Sequence, residues 1–398
     1  AAVLSSEFDW EARKVTVNLA PSGVPKTGAG LDLAIAMGYL VASGQLPPDC
    51  VANTAFIAEL GLDGSLRPIP GALPLTAAVE TPMAVVARGN LSEASLVDAS
   101  AVRSARDLRQ VVDVLRGTGD WSEPLRRSVA ADRGPLVDLA SVQGQPMARR
   151  AAEVAAAGGH HLLLIGPPGA GKTMIAKAMP GLLPALESDD ALEVTTVHSA
   201  AGLVLPPGGL VRCPPFRAPH HTSSTVSLIG GGTRQMRPGE ISCAHGGVLF
   251  LDELGEFPAH VLDALRQPLE EGVVRVARAY GSSTYPARFM LVGATNPCPC
   301  GGGESAGGRS CRCTDAARAR YARRFSGPLL DRFDLRVHVD RPSASDLFAP
   351  SGAESSAVVA ARVAAARRMA PARGVSTNAA LPGDHDALEL EAAARDLL

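Results

Sequence analysis

Residues 161–174, HLLLIGPPGAGKTM, constrain this chain more than any other stretch. The short apolar run 162–165 predicts a buried strand that ends in Gly166, Pro167, Pro168, Gly169, Ala170, Gly171, Lys172 and Thr173. These eight residues satisfy G-x-x-x-x-G-K-[ST], with a strand before and a helix after. The glycines permit a tight turn whose amides point inward at polyphosphate oxygens. Lys172 is positioned by the pattern to reach the β and γ phosphates, and Thr173 to hold Mg²⁺. The expected ligand is a nucleoside triphosphate, read here as ATP with Mg²⁺.

A second segment, GGVLFLDELGEF, carries the hydrolytic chemistry. Residues 248–251 predict a parallel core strand whose C-terminal end presents Asp252 and Glu253. Adjacent acids leaving a buried strand are costly unless a cation or a reaction uses them. Asp252 is assigned to Mg²⁺ through water, and Glu253 to polarising the attacking water. A third strand, in ARFMLVGATNP, ends at Thr295 and Asn296, and Asn296 is placed beside the γ-phosphate. In FSGPLLDRFDLRVHV, Asp331 and Arg332 precede another strand. Arg332 is either an intramolecular ion-pair partner or a group that reaches the phosphate held by a neighbouring subunit.

Four of the seven cysteines follow Asn296 as Cys298-x-Cys300 and Cys311-x-Cys313. Two such pairs, ten residues apart with glycines between, can place four thiolates tetrahedrally around structural Zn²⁺. Thiol redox chemistry and a metal-free cluster are the other two readings. Between the phosphate loop and the acidic strand lies a glycine- and proline-rich insertion over residues 198–245, expected to form loops or hairpins. Its Phe216, Arg217, His220, His221 and Arg234 either contact a polyanion or a neighbouring subunit, or simply pack the insertion.

The rest of the chain gives the frame. At 398 residues it has room for two or three domains. Residues 1–116 predict a first α/β unit: VTVNLAP, FIAELGLDG and MAVVARG as strands, LDLAIAMGYLVASG and ARDLRQVVDVLRG as helices. Residues 117–134 read as a linker, residues 135–342 as the nucleotide-binding core, and 343–398 as the start of a helical lid. VDLASVQGQ, just before the nucleotide strand, is a candidate cover for the adenine base. A net charge of -2 argues neither for nucleic acid nor against a local basic patch. The opening AAVLSSEFDWEARK lacks the pattern of a targeting peptide, and no run of 18 apolar residues predicts a membrane span. Scattered cysteines in a long chain predict a reducing cytoplasm.

Through FDWEARKVTVNLAP, ELGLDGSLRPIPGALPL, GQPMARRAAEVAAAGGHHLLLIGPPGAGKT, PFRAPHHTSS, RPGEIS, GVLFLDEL, NPCPCG and FSGPLLDRFDL, the chain resembles the bacterial magnesium-chelatase-like AAA+ ATPases of the YifB and ComM family. The resemblance covers essentially the whole chain. It implies an N-terminal domain similar to the Lon protease and ribosomal S5 fold, followed by an AAA+ P-loop core and the beginning of a helical lid. It also implies ATP-dependent hexameric rings, helicase or branch-migration activity on single-stranded or branched DNA, and work beside recombination proteins in natural transformation. Under this resemblance Arg332 looks like a trans-acting arginine finger and Asn296 like the first sensor. The alternative is an ATP-driven remodeller of a protein partner, related to the magnesium chelatase ATPase subunit.

The chain departs from Lon-like proteases where their dyad belongs. Ala29, in PKTGAG, stands near the expected serine, and LRPIPGALPL contains no lysine. Without nucleophile and base, proteolysis is not expected. The family pattern also has a segment upstream of FDWEARK and a lid extending past LEAAARDLL, so the second-sensor arginine is expected outside this sequence.

Overall fold

The protein's structure, a computed structural model, describes residues 1–11, 13–20, 28–122, 137–232, 236–278, 281–301, 311–325, 327–343, 345 and 353–381. Its central feature is a five-stranded parallel sheet, in the order Leu335–His338, Leu162–Ile165, Met290–Thr295, Val248–Leu251 and Phe216–Arg217. Parallel strands covered on both faces need unbroken apolar sequence. Val248–Leu251 and Met290–Thr295 are accordingly buried at every position.

Alternation of side chains divides these strands between two cores. Leu162, Leu164, Val248, Phe250, Met290 and Val292 face one cluster with Ala152, Ala155, Ile175 and Val363. Those last residues come from the helices Pro146–Gly158, Lys172–Ala178 and Ser356–Arg367. Leu163, Leu249, Leu251 and Leu291 face the other, with Leu262, Leu265, Leu329 and Phe333. Helix Ser356–Arg367 is tied to Pro146–Gly158 by Arg362, which bonds Glu153 at 2.7 Å and also Glu354, just before its own helix, at 2.6 Å.

A separate parallel sheet, Thr54–Ile57, Met83–Ala87 and Val102–Ala105, organises the first part of the chain. Its core includes Leu33, Met37 and Leu40 of helix Asp32–Ala42 and Leu108, Val111 and Val112 of helix Leu108–Leu115. Asp107 caps the latter, accepting from the Gln110 amide at 2.8 Å. This part meets the core where the Gly71 amide donates to Ser199 O at 2.8 Å, with helix Ala72–Ala77 against helix Ser188–Ala201.

One sequence expectation changes here. The VTVNLAP strand is absent over its described residues 15–20, where Val15 and Val17 are exposed. Alternating β-formers become a strand only beside a partner edge, and among the described residues none pairs with them. At the expected linker, residues 117–122 fold back: the Ser122 amide donates to Ser104 O at 2.8 Å, and Trp121 packs on the first core. Residues 123–134 lie outside the described residues. The insertion contains helix Thr225–Ile229 and a short antiparallel pair, Gly230–Gly231 with Arg237–Pro238. A hairpin not anticipated from the sequence, Val273–Arg278 with Gly281–Pro286, follows the acidic strand. No helix among the described residues is long and apolar enough to cross a membrane.

Candidate nucleotide site

The C-terminal ends of the parallel strands converge on one place, where open α/β sheets bind ligands. From Ile165 the chain enters the phosphate loop, where Gly169 and Gly171 have φ of 79° and 90°. These left-handed conformations explain the glycines at the turn. Gly166 is required for a different reason: a Cβ there would lie 2.0 Å from Val339 O. Helix Lys172–Ala178 then starts directly from the loop, aiming its first amides at the space an anion fills.

Lys172 is 8% exposed, and its Nζ donates to Gly166 O at 2.6 Å, Pro167 O at 2.9 Å and Asn296 Oδ1 at 3.3 Å. Burial holds its pKa below the ordinary lysine value, against the opposing pull of Asp252 and Glu253. The Thr173 hydroxyl donates to Asp252 Oδ2 at 2.8 Å. Three residues far apart in sequence, Lys172, Asp252 and Asn296, thus lie around one loop. A hydroxyl and a carboxylate in direct contact are a donor set suited to Mg²⁺, which prefers oxygen ligands.

Glu253 has φ 51° and ψ 49°, one of two non-glycine residues with positive φ among the described residues. Such a conformation costs roughly 1–2 kcal/mol. It turns the chain out of the strand, and the Glu253 side chain stays more than half exposed, with Oε2 3.4 Å from His221 Nδ1.

The insertion candidates separate. Phe216 stacks on Phe250 with ring centroids 6.0 Å apart, on the sheet face that carries Leu162 and Val292. Arg217 makes a double contact with Glu240, at 2.6 and 2.7 Å, and this bond raises its pKa. Both pack the insertion. His220 is exposed, with Nδ1 2.8 Å from the Thr222 hydroxyl. Among the described candidates, His221 alone reaches a predicted site residue. Arg234 lies outside the described residues.

Arg332 pairs with Glu270 of its own chain. It precedes Leu335–His338, at the N-terminal ends of the strands, beside His161, whose pKa its charge helps to lower. The phosphate loop leaves the opposite ends, so Arg332 is not part of its own chain's cluster. Cys298, Cys300, Cys311 and Cys313 do come together, with all four sulfurs within 4.8 Å of one another.

Residue matching agrees with this geometry. The family profile described as magnesium chelatase, subunit ChlI, matches residues 138–347, and that described as subunit ChlI of Mg-chelatase matches residues 1–90. An uncharacterised protein of Mycobacterium tuberculosis (strain ATCC 25618 / H37Rv) is 47% identical over 392 residues, 96% of this chain and 76% of its own length. Protein YifB of Escherichia coli (strain K12) is 43% identical over 376 residues, 92% of this chain and 72% of its own. Competence protein ComM of Haemophilus influenzae (strain ATCC 51907 / DSM 11121 / KW20 / Rd) is 41% identical over 388 residues, 96% and 75%. The chain belongs to the magnesium-chelatase-like AAA+ ATPases of the YifB and ComM family. Membership makes it an ATP-dependent enzyme of the motor or remodeller kind.

In this family member, several residues that shape the site carry no sequence signal. Gln145 is 7% exposed and donates through Nε2 to Ala170 O at 3.1 Å and to Asp340 O at 2.5 Å. It joins the end of VDLASVQGQ to the phosphate loop and to the end of an edge strand. Arg341 Nε donates to Pro168 O at 3.0 Å. Tyr321 OH lies 3.2 Å from the Thr295 hydroxyl. Each partner is distant in sequence, so local patterns could not reveal them.

Proposed function

We propose that this chain is the subunit of a ring-forming ATPase that hydrolyses ATP at subunit boundaries and drives DNA strands through branch migration or unwinding. The observation that carries the hydrolytic part of the reading is the Thr173–Asp252 bond beside Lys172 and Asn296, at the strand ends where the phosphate loop begins, and the ring and DNA parts rest on the resemblance to the YifB and ComM family. Mg²⁺ bound with ATP would neutralise phosphate charge and withdraw electrons from the γ-phosphoryl group. In this reading Lys172 exchanges its loop carbonyls for phosphate oxygens, and the amides of residues 166–173 orient them. Thr173 and Asp252 would hold the cation. Asn296 fixes the attacking water, and Glu253 accepts its proton. VDLASVQGQ covers the base.

Arg332 acts in trans. Its place at the far ends of the strands points it away from its own phosphate loop, and a neighbouring subunit supplies the geometry. His221 links the insertion to hydrolysis, because movement of the insertion by a substrate would move its imidazole from Glu253. The first sheet belongs to a Lon/S5-like domain, residues 1–116, that uses its fold for support without proteolysis. Residues 135–342 form the AAA+ core, and residues 343–398 begin a lid. In the same reading the clustered cysteines hold structural Zn²⁺, a site whose four thiolates leave no open position for catalysis.

Hydrolysis measured alone, with single-stranded DNA and with a four-way junction, alongside junction migration, tests the function. Stimulation by DNA coupled to migration is expected. Hydrolysis indifferent to DNA, yet raised by a protein partner, would replace the DNA motor with a protein remodeller.

A further inference from the structure

The cysteine cluster has the dimensions of a single metal site. Cys298 Sγ lies 3.4 Å from Cys300 Sγ and 3.5 Å from Cys311 Sγ, and Cys300 and Cys311 are 3.7 Å apart. A disulfide would bring two sulfurs to about 2.05 Å. Tetrahedral zinc with Zn–S bonds of about 2.3 Å sets sulfur–sulfur edges of about 3.8 Å. The spacing is too small for the sulfurs to surround a multi-iron cluster. The Cys313 amide also donates to Cys311 Sγ at 3.4 Å, a bond that favours a thiolate there.

The cluster is joined to the nucleotide site on two sides. Cys298 is 2% exposed and stands two residues after Asn296, which accepts from Lys172. The turn that begins at Cys298 closes at Gly301, whose amide donates to Cys298 O at 2.9 Å. Gly301 has φ 75°, and a Cβ there would lie 2.7 Å from Pro168 Cδ and 3.0 Å from Cγ. Its backbone therefore rests directly on the phosphate loop. On the other side Cys313 leads to Thr314, the cap of helix Asp315–Ala322, and Tyr321 of that helix returns to Thr295. The two described ends of the segment between strand and helix, 296–301 and 311–314, thus meet at the cysteine sulfurs, with Gly301 against Pro168.

We propose that Cys298, Cys300, Cys311 and Cys313 bind one zinc ion as thiolates, and that this knuckle braces Pro168 of the phosphate loop and holds Asn296 beside Lys172. The knuckle is a positioning element, and its role rests on the ATPase reading above. Loading releases the four thiol protons to solvent and changes no oxidation state. Because it ties strand end, loop and helix together, loss of the ion frees Pro168 and Asn296 at once.

The full chain, purified without chelators, is expected to carry one zinc per polypeptide by elemental analysis. Joint Cys298→Ser and Cys300→Ser substitution should bring zinc to background and weaken binding of a fluorescent ATP analogue by about tenfold or more. Gly301→Ala keeps all four ligands and should retain zinc, yet weaken the analogue severalfold by crowding Pro168. Thermal melts of each variant establish that it is folded. Wild-type protein without zinc overturns the metal site. Zinc in the wild type, with both variants binding nucleotide as tightly as wild type, overturns the brace and leaves the metal. Zinc-loaded wild type that binds no ATP analogue would instead remove the ATPase reading on which the brace depends.

Discussion

At the scale of single residues, Glu253 and Lys172 owe their proposed roles to position. Glu253 sits in a left-handed turn at the end of a buried strand, with its carboxylate exposed toward His221. Glu253→Gln keeps shape and removes the base, so ATP affinity should persist while turnover falls by about 10²-fold or more. Full turnover by that variant, followed as phosphate release, would sink the assigned role. Away from the site, three imidazoles are depressed chiefly by burial: His161, His198 and His245. Two of them accept backbone amides at Nδ1, His161 from Leu291 and His245 from Arg288, each at 3.0 Å. In the unfolded chain each takes a proton near pH 6.5, whereas the native state resists. The unfolded state then binds more protons, so stability is full above about pH 6.5 and declines as pH falls through that value toward the lower native ones. Melting temperature should drop between pH 7.5 and 5.5, and His245→Gln should flatten that slope. A melting temperature independent of pH over this interval would refute the account.

At the scale of elements, the site is a set of strand ends held in register by long-range bonds. The helix that begins at Pro146 is preceded by Gln145, whose amide serves two carbonyls from separate segments. Gln145→Ala leaves both unpaired, with an expected loss of about 1–3 kcal/mol in denaturant unfolding. It should also weaken nucleotide binding, since Ala170 belongs to the phosphate loop. Unchanged unfolding midpoint and affinity would show that water replaces the side chain without cost. Strands with both faces covered, such as Val248–Leu251 and Met290–Thr295, were legible because their composition is continuous and apolar. VTVNLAP was misread because alternation describes a strand's faces and says nothing of its partner. The hairpin Val273–Arg278 with Gly281–Pro286 went unseen beside the stronger acidic motif, although residues 273–278 carry its β-branched signal.

At the scale of the whole molecule, Arg332 is the residue whose proposed role depends on assembly. Its pairing with Glu270 and its place at the N-terminal strand ends separate it from the phosphate loop of its own chain. Arg332→Ala should leave nucleotide bound and slow hydrolysis in the assembled ring by about 10³-fold. Mixing it with Glu253→Gln subunits should restore part of the activity, because an intact Glu253 and an intact Arg332 then meet at some boundaries. Normal hydrolysis by Arg332→Ala rings would remove the residue from the reaction. What the sequence determined by itself was the local chemistry: a phosphate loop, a pair of acids after an apolar strand, an asparagine and four cysteines at fixed spacings. These follow from short-range constraints, since turn geometry, strand burial and ligand type are properties of neighbouring residues. Only the tertiary structure decided that Asp252 meets Thr173, that Gln145 and Arg341 hold the loop, that Arg217 is spent on Glu240, and that the cysteine turn rests on Pro168. Those contacts join residues from 23 to 173 positions apart in several of these pairs. They arise from strand order and the close packing of separate segments, and no local pattern encodes either.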